Sequence, residues 1–386
     1  MSRHTIVFAF GFAVLSHAGL AHGQLQFSTS TTGMSSSSVN GVFGCGEMVY
    51  AATNGGGVCI SSDAGVTWAC SGLEQGLPSP DVNAVFALGG TVYAATNSGL
   101  GILDEGATEW TRVLDGQQVN GVYVVGETIY VAESDGVRIS TDDGQSFAFY
   151  SNITSGLGGN QNYPKAIHAG AGIVAVATKG GVGVSTNGGS QYTLYTRDNN
   201  GLGSDYVFGV CVYGGTIYAA TLAGLSLSDD LGVSWTNLTQ KNGLQGNTVT
   251  GVFVKDGVIY ASTTATTEEP LGGGICISND GGATWSNSTH PADGLPSSGL
   301  NGVAHSQGWT YAASTAGVGV ASESGCPADL TGDLMVDASD LANLLSQWGG
   351  DCKADPTVCE YDLDCSGTID AGDITALFAV WGACGG

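Results

Sequence analysis

Ten oxygen-bearing side chains near the C-terminus are spaced as two copies of one ligand set. Asp329, Thr331, Asp333, Asp337 and Asp340 stand at positions 1, 3, 5, 9 and 12 of a twelve-residue segment. Asp362, Asp364, Ser366, Asp370 and Asp373 repeat those positions 33 residues later. Calcium is a hard cation that takes six to eight oxygens, and this spacing, with a backbone carbonyl at position 7, supplies them. The pattern therefore predicts two calcium ions. Each segment leads into apolar residues at helical spacing, Leu341, Leu344, Leu345 and Trp348 in the first copy and Ile374, Leu377, Phe378 and Trp381 in the second. A helix must follow each loop, with Asp337, Asp340, Asp370 and Asp373 placed to cap its N-terminus. The copies differ from the ideal at Leu334, where a tight turn favours Gly, and at Cys365, which no ligand role requires.

The ligand spacing is that of an EF-hand, with Asp rather than Glu at position 12. Tandem loops of this kind, each followed by one helix, resemble type I dockerins, and the resemblance covers residues 326–386. It implies a small all-α calcium-loop domain that clips its protein onto a cohesin-like module or another surface protein. In that family partner choice lies at positions 10 and 11 of each loop, here Ala338-Ser339 and Ala371-Gly372. The near-twofold repeat implies two docking orientations.

Upstream, a different repeat sets the architecture. A strand ending Tyr-Ala-Ala-Thr begins at Tyr50, Tyr93 and Tyr218, with looser copies at Tyr130, Ala175, Tyr260 and Tyr311. Seven units about forty residues apart, each with four short strands, predict a seven-bladed β-propeller. Each unit opens with a strand such as Val39-Asn40-Gly41-Val42-Phe43 and ends in a loop carrying Gly-Leu, as at Gly76-Leu77 and Gly294-Leu295. Between the third and fourth strands lies an octapeptide: Ser-Ser-Asp-Ala-Gly-Val-Thr-Trp at 61–68, with copies at 140–147, 185–192, 228–235 and 278–285. Its Asp or Asn can accept N–H groups across a turn, and its Gly can take positive φ. The octapeptide resembles the Asp-box of neuraminidase-type and sortilin-type propellers, where it is a turn device remote from catalysis. The Gly-Leu-Pro spelling at 76–78 and 294–296 is also similar to two-component-regulator propeller repeats. Blade two departs from the box, since 103–110 keeps an acid and Trp110 but misplaces its glycine.

The seventh unit has three strands and no box, so the N-terminal residues 25–30 are expected to supply its fourth strand. Phe27 lies 12 residues before Val39, much as Trp68 lies 14 before Val82. Closure of this kind removes an exposed sheet edge. Ahead of it, Arg3 and His4 precede an apolar run to Leu15 and then small residues, the pattern of a cleaved export signal over 1–23. The expected organisation is thus 1–23 signal peptide, 24–325 propeller and 326–386 dockerin-like domain.

Composition narrows the function. Nine Lys and Arg against 34 Asp and Glu give a net charge of −25, which repels nucleic acid and anionic membranes. No segment is apolar for 18 residues, so no membrane span is expected. Ten cysteines fit an oxidising, extracellular destination. Cys326 with Cys352 and Cys359 with Cys384 bracket the two halves of the tail, Cys59 and Cys70 on neighbouring strands can pair, and Cys59 and Cys276 should not. Arg112, Arg138 and Arg197 occupy unrelated repeat positions, which argues against the three-arginine clamp of a sialidase. Glu133, Asp135, Asp205, Glu268 and Glu269 are the carboxylates from which a glycosidase pair would have to come, and nothing singles out two of them. The reading is a secreted, non-catalytic binding or scaffold propeller for an extracellular polysaccharide or protein. The insertion 264–274 is expected to rim its binding face. The alternative is a glycoside hydrolase acting on extracellular polysaccharide.

Overall fold

The computed structural model describes residues 24–46, 48–159, 162–322, 328–331, 335–352, 361–364 and 366–383. The signal reading, Asp333, Leu334, Cys326, Cys359, Cys365 and Cys384 lie outside the described residues.

Seven four-stranded antiparallel sheets form a seven-bladed β-propeller. The innermost strands are Val39–Cys45, Val82–Leu88, Val119–Val125, Pro164–Gly170, Val207–Tyr213, Val249–Lys255 and Leu300–Ser306. Each begins on one face of the disc, here termed the mouth face, and ends in a tight turn on the other. The second strands carry the Tyr-Ala-Ala-Thr pattern. They are buried on both sides because small Ala side chains let neighbouring blades approach closely, and Ala51, Ala94, Ala95 and Ala219 are fully buried. Between blades lie Val and Leu clusters such as Val58, Leu77, Val82 and Val92.

The octapeptide turns are built by side chains. Asp63 accepts the Thr67 N–H at 2.8 Å and the Thr67 hydroxyl at 2.6 Å, while the Ser61 hydroxyl accepts the Gly65 N–H at 2.8 Å. The same bonds recur around Asp142, Asp230 and Asp280. Asn187 makes the amide version, accepting the Gln191 N–H at 3.1 Å. Each loop of the Gly-Leu type inserts a buried leucine, Leu77, Leu157, Leu202, Leu244 or Leu295, between blades. Burial of one such side chain contributes about 2 kcal/mol. The preceding glycine cannot be replaced: at Gly156, with φ +91°, a Cβ would lie 2.2 Å from the Tyr192 carbonyl oxygen.

The ring is closed by the N-terminal strand Ser28–Ser30, which pairs with the outer strand Gly317–Ser322 of blade seven. The seam reuses a contact found inside the ring. The Trp110 N–H donates to the Gln75 carbonyl, and Tyr192 to Ser155, each at 2.7 Å. Phe27 donates to Asp293 at the same distance. The Asp293 carboxylate also accepts from Gln24 Nε2 at 2.8 Å and Gln26 Nε2 at 3.2 Å.

One short helix, α1 (Arg197–Asn200), lies in the propeller. The tail carries α2 (Ala338–Ser346) and α3 (Ala371–Ala379), packed over Val336, Leu344, Ile369 and Leu377. It is not all-α, which corrects the expectation. Met335–Val336 pairs with Gly382–Ala383, and Asp351 bridges Thr368. The apolar faces of the two helices are only partly buried. Leu344 and Leu377 are buried, but Leu345, Trp348, Phe378 and Trp381 are each about half exposed. With only two nine-residue helices, Leu344 and Leu377 are fully buried in the shared core, Leu341 and Ile374 pack partly against it, and the outer residues stay in water.

Candidate functional site

The second residue of every innermost strand points into the mouth of the central channel. A β-bulge makes this possible, because each of these strands shifts register between its first and third residues, as at Val39/Gly41 and Val119/Gly121. The extra residue is released from the ladder and re-aimed. Asn40, Asn83, Asn120, Lys165, Phe208, Thr250 and Asn301 therefore line one cavity of about 520 Å³. Gln118, Ser134, Tyr163 and Lys179 complete its wall.

Four asparagines of this set also lock the ring. Asn40 Nδ2 donates to the Val82 carbonyl at 2.8 Å, Asn83 to Val119 at 2.8 Å, Asn120 to Pro164 at 2.7 Å and Asn301 to Val39 at 2.8 Å. Each bond ties one blade to the next. Where the asparagines stop, the chemistry changes. Lys165 Nζ lies 5.2 Å from the Tyr206 ring centre and 5.7 Å from that of Phe208, and Lys179 Nζ lies 4.7 Å from that of Tyr163. Among the described residues neither lysine makes an ion pair.

Deeper in the ring, the fifth residues of the innermost strands stack in sequence. Ring centres are 4.7 Å apart for Phe43 and Phe86, 4.6 Å for Phe86 and Tyr123, and 4.0 Å for Tyr123 and His168. His168 Nδ1 accepts the Val212 N–H at 3.3 Å, and desolvation pulls its pKa down to about 3. It keeps a partial opening to solvent, which moderates that depression without changing its direction. Cys211 and Cys276 are buried thiols, each pushed up to about 12 by burial and so inert as nucleophiles. Cys59 is bonded to Cys70 on the adjacent strand.

Sequence reasoning missed the mouth. Val-Asn-Gly at 39–41 and 119–121 marks strand starts in the sequence, and the Asn recurring at the second position is the signal that points to the mouth. The insertion after Val258–Thr263 contributes no residue to the cavity wall. Within it, Glu269 accepts both the backbone and the side-chain N–H of Asn247. Two more of the candidate carboxylates are occupied locally: Glu133 is buried and grips Arg138 Nε at 2.8 and 2.9 Å, and Asp205 accepts the Arg197 N–H at 2.6 Å. Burial pushes the Glu133 carboxyl above its usual range, against the pull of Arg138. The arginines do not converge, since Arg112 binds the Gly76 and Leu77 carbonyls and Arg197 reaches only Asp198.

In the tail, one carboxylate oxygen each of Asp362, Asp364 and Asp373 falls within a 4.8 Å cluster. These are positions 1, 3 and 12 of the second loop. Asp373 is buried, and burial pushes its pKa up. Asp362 is raised to about 6, chiefly by burial. Two buried carboxylates and the exposed Asp364 at such separation repel one another, and a divalent cation would relieve that repulsion. In the first loop Asp340 accepts the N–H groups of Thr331 and Asp337, and Thr331 Oγ1 donates to Asp329. Asp337 and Asp370 cap α2 and α3, accepting the Ser339 and Gly372 N–H groups at 2.7 Å. Ser366 N–H donates to Asp364. Ala338, Ser339 and Ala371 are exposed. Gly372 has a local reason to be small, because a Cβ there would collide with the Asp364 carboxylate. The tail touches the propeller on the face opposite the mouth, through Gln307 Nε2 to the Leu363 carbonyl at 3.0 Å. No described residue of the tail lines the mouth.

No protein-family model matches the chain, and no curated protein matches it. Solved structures do. The extracellular domain of the hybrid two-component system BT3049 from B. thetaiotaomicron is 18% identical with a TM-score of 0.64, over 77% of this chain and 41% of that one. YCF48 bound to D1 peptide is 14% identical with a TM-score of 0.57, over 81% and 98%. The GH74 enzyme of Niastella koreensis is 17% identical with a TM-score of 0.52, over 80% and 44%. The chain spans about two fifths of the length of the extracellular domains it matches. At such identities the likeness establishes the fold, a seven-bladed β-propeller, and nothing finer.

Proposed function

We propose that this chain is an exported binding propeller that presents its channel mouth to an extracellular polysaccharide or protein. In this reading the octapeptides are Asp-box turns that brace the blades. The tail is a dockerin-like module whose loops hold calcium and which attaches the propeller to a cohesin-like or other surface partner. The observation that carries the reading is the mouth itself, an open polar cavity that joins unpaired cations, aromatic rings and amides on a rigid ring. YCF48 bound to D1 peptide offers a propeller of this fold that takes a ligand. Export is supported by the N-terminal signal pattern and the Cys59–Cys70 bond.

Calcium suits the second loop because Asp362, Asp364 and Asp373 converge there, and bound calcium would supply charge neutralisation that fixes loop and helix together. A hydrolase reading is less well supported. It needs two carboxylates free to face one gap, and Glu133, Asp205 and Glu269 are each engaged elsewhere. The test is to incubate the mature protein with a panel of polysaccharides and extracellular proteins, measuring both retention and released sugar. Retention without release is expected. Release that one carboxylate substitution abolishes would replace binding by hydrolysis.

A further inference from the structure

The mouth is chemically lopsided. Blades seven, one, two and three contribute asparagines, whereas blades four and five contribute Lys165, Lys179, Tyr163 and Phe208. In a chain with 34 acids and nine bases, two lysines on one cavity without a carboxylate partner are conspicuous. The aromatic rings hold their ammonium groups in place by cation–π attraction, which does not neutralise them. Their charge remains available to a ligand. Across the cavity the Nδ2 groups of Asn40, Asn83 and Asn301 are committed to the blade-to-blade bonds. Their amide oxygens accept no hydrogen bond from described residues and are left to receive donors.

A ligand that matches must bring a carboxylate to one side and several hydroxyl donors to the other. We infer that the mouth is a subsite for a uronic acid residue of an extracellular polysaccharide, its carboxylate taken by Lys165 and Lys179 and its hydroxyls by Asn40, Asn83 and Asn301. This deepens the binding reading and rests on it. The hydroxyl-accepting arc favours a sugar over an acidic peptide, whose side chains would offer that arc acceptors rather than donors. The overall charge of −25 does not forbid the ligand, because at physiological salt it is screened beyond about 8 Å. It does favour short segments over long polyanions.

The test is calorimetry on the mature full chain with tetramers of galacturonic, glucuronic and mannuronic acid. Each is compared with its carboxyl-reduced counterpart and with an Asp/Glu-rich octapeptide. At least one uronate tetramer should bind at least tenfold more tightly than its reduced form, and the peptide should not compete. The Lys165→Met/Lys179→Met double variant should bring the acidic and reduced tetramers to equal affinity. Lys241→Met, on an outer loop, should change nothing, and melting curves check that each variant folds. Equal affinity for acidic and reduced sugars in the wild type would overturn the inference, as would undiminished preference in the double variant or capture of the peptide instead. A neutral glycan or a protein held at the mouth would overturn the uronate assignment while leaving the binding reading standing. If none of these, nor any of the wider panel, is held there, both fall.

Discussion

The Phe27 N–H donates to the Asp293 carbonyl at 2.7 Å, joining two residues 266 positions apart in the chain. The bond is the seam of the ring, and it copies the contact that Trp110 makes with Gln75 within it. Asp293, itself buried, adds both carboxylate oxygens to the clasp through Gln24 and Gln26.

The clasp should be worth a measurable fraction of total stability. Phe27→Ala empties a buried site in the last blade and should cost about 3–5 kcal/mol, read as a lower urea midpoint with an unchanged slope. Removing residues 24–30 should do more, leaving Gly317–Ser322 as an open edge prone to self-association in light scattering. A truncated protein with wild-type stability and a monomeric profile would show that the ring does not depend on its first strand.

Acid should loosen the octapeptide turns in a narrow window. Hydrogen bonds from the Thr67 and Thr284 hydroxyls and N–H groups lower the carboxyls of Asp63 and Asp280 to about 2. Unfolded aspartate titrates near 3.9. The contribution is therefore fully present above about pH 4 and lost as pH falls through about 2. Asp63→Asn, which reproduces the amide found naturally at Asn187, should keep the turn and flatten that part of the pH–melting curve.

His168 gives a dependence at higher pH. Its folded pKa is depressed, so the unfolded chain binds a proton first, near 6.5. Stability should fall as pH drops below 6.5, by at most about 1.4 kcal/mol per pH unit, and level off near pH 3. His168→Phe extends the Phe43, Phe86 and Tyr123 stack and removes this slope. It also sacrifices the Val212 N–H acceptor, a loss of about 1 kcal/mol at pH 7.

Chelation should act on the tail alone. With the loops stripped of divalent ions, the far-UV signal of α2 and α3 should decline while the propeller's melting transition stays in place. Asp364→Ala/Asp373→Ala should mimic chelation in the presence of calcium. A tail that ignores both treatments would remove the metal from the proposal.

Much of the fold was legible because it rests on local chemistry that repeats. Tyr-Ala-Ala-Thr marks a buried second strand wherever blades must approach closely, and Ser-x-Asp-x-Gly marks a turn that its own side chains build. The mouth was not legible in the same way. Its wall gathers single residues from 40 to 301, and the Asn pattern breaks at Lys165, Phe208 and Thr250, where the informative chemistry sits. Only the bulge, a feature of pairing rather than of composition, turns those positions inward. The tail misled differently. Helical spacing puts Trp348 and Trp381 on an apolar helix face, but two short helices fully bury only Leu344 and Leu377 of it.

The most direct measurement is retention of the mature protein on the polysaccharide and protein panel, comparing wild type with two variants. Tyr163→Ala/Phe208→Ala alters the mouth, and Asp364→Ala/Asp373→Ala alters the tail on the opposite face. Retention on the propeller's ligand should drop at least tenfold for the mouth variant and persist for the tail variant. Retention that survives loss of the mouth aromatics but disappears with the tail carboxylates would contradict a binding site at the channel mouth.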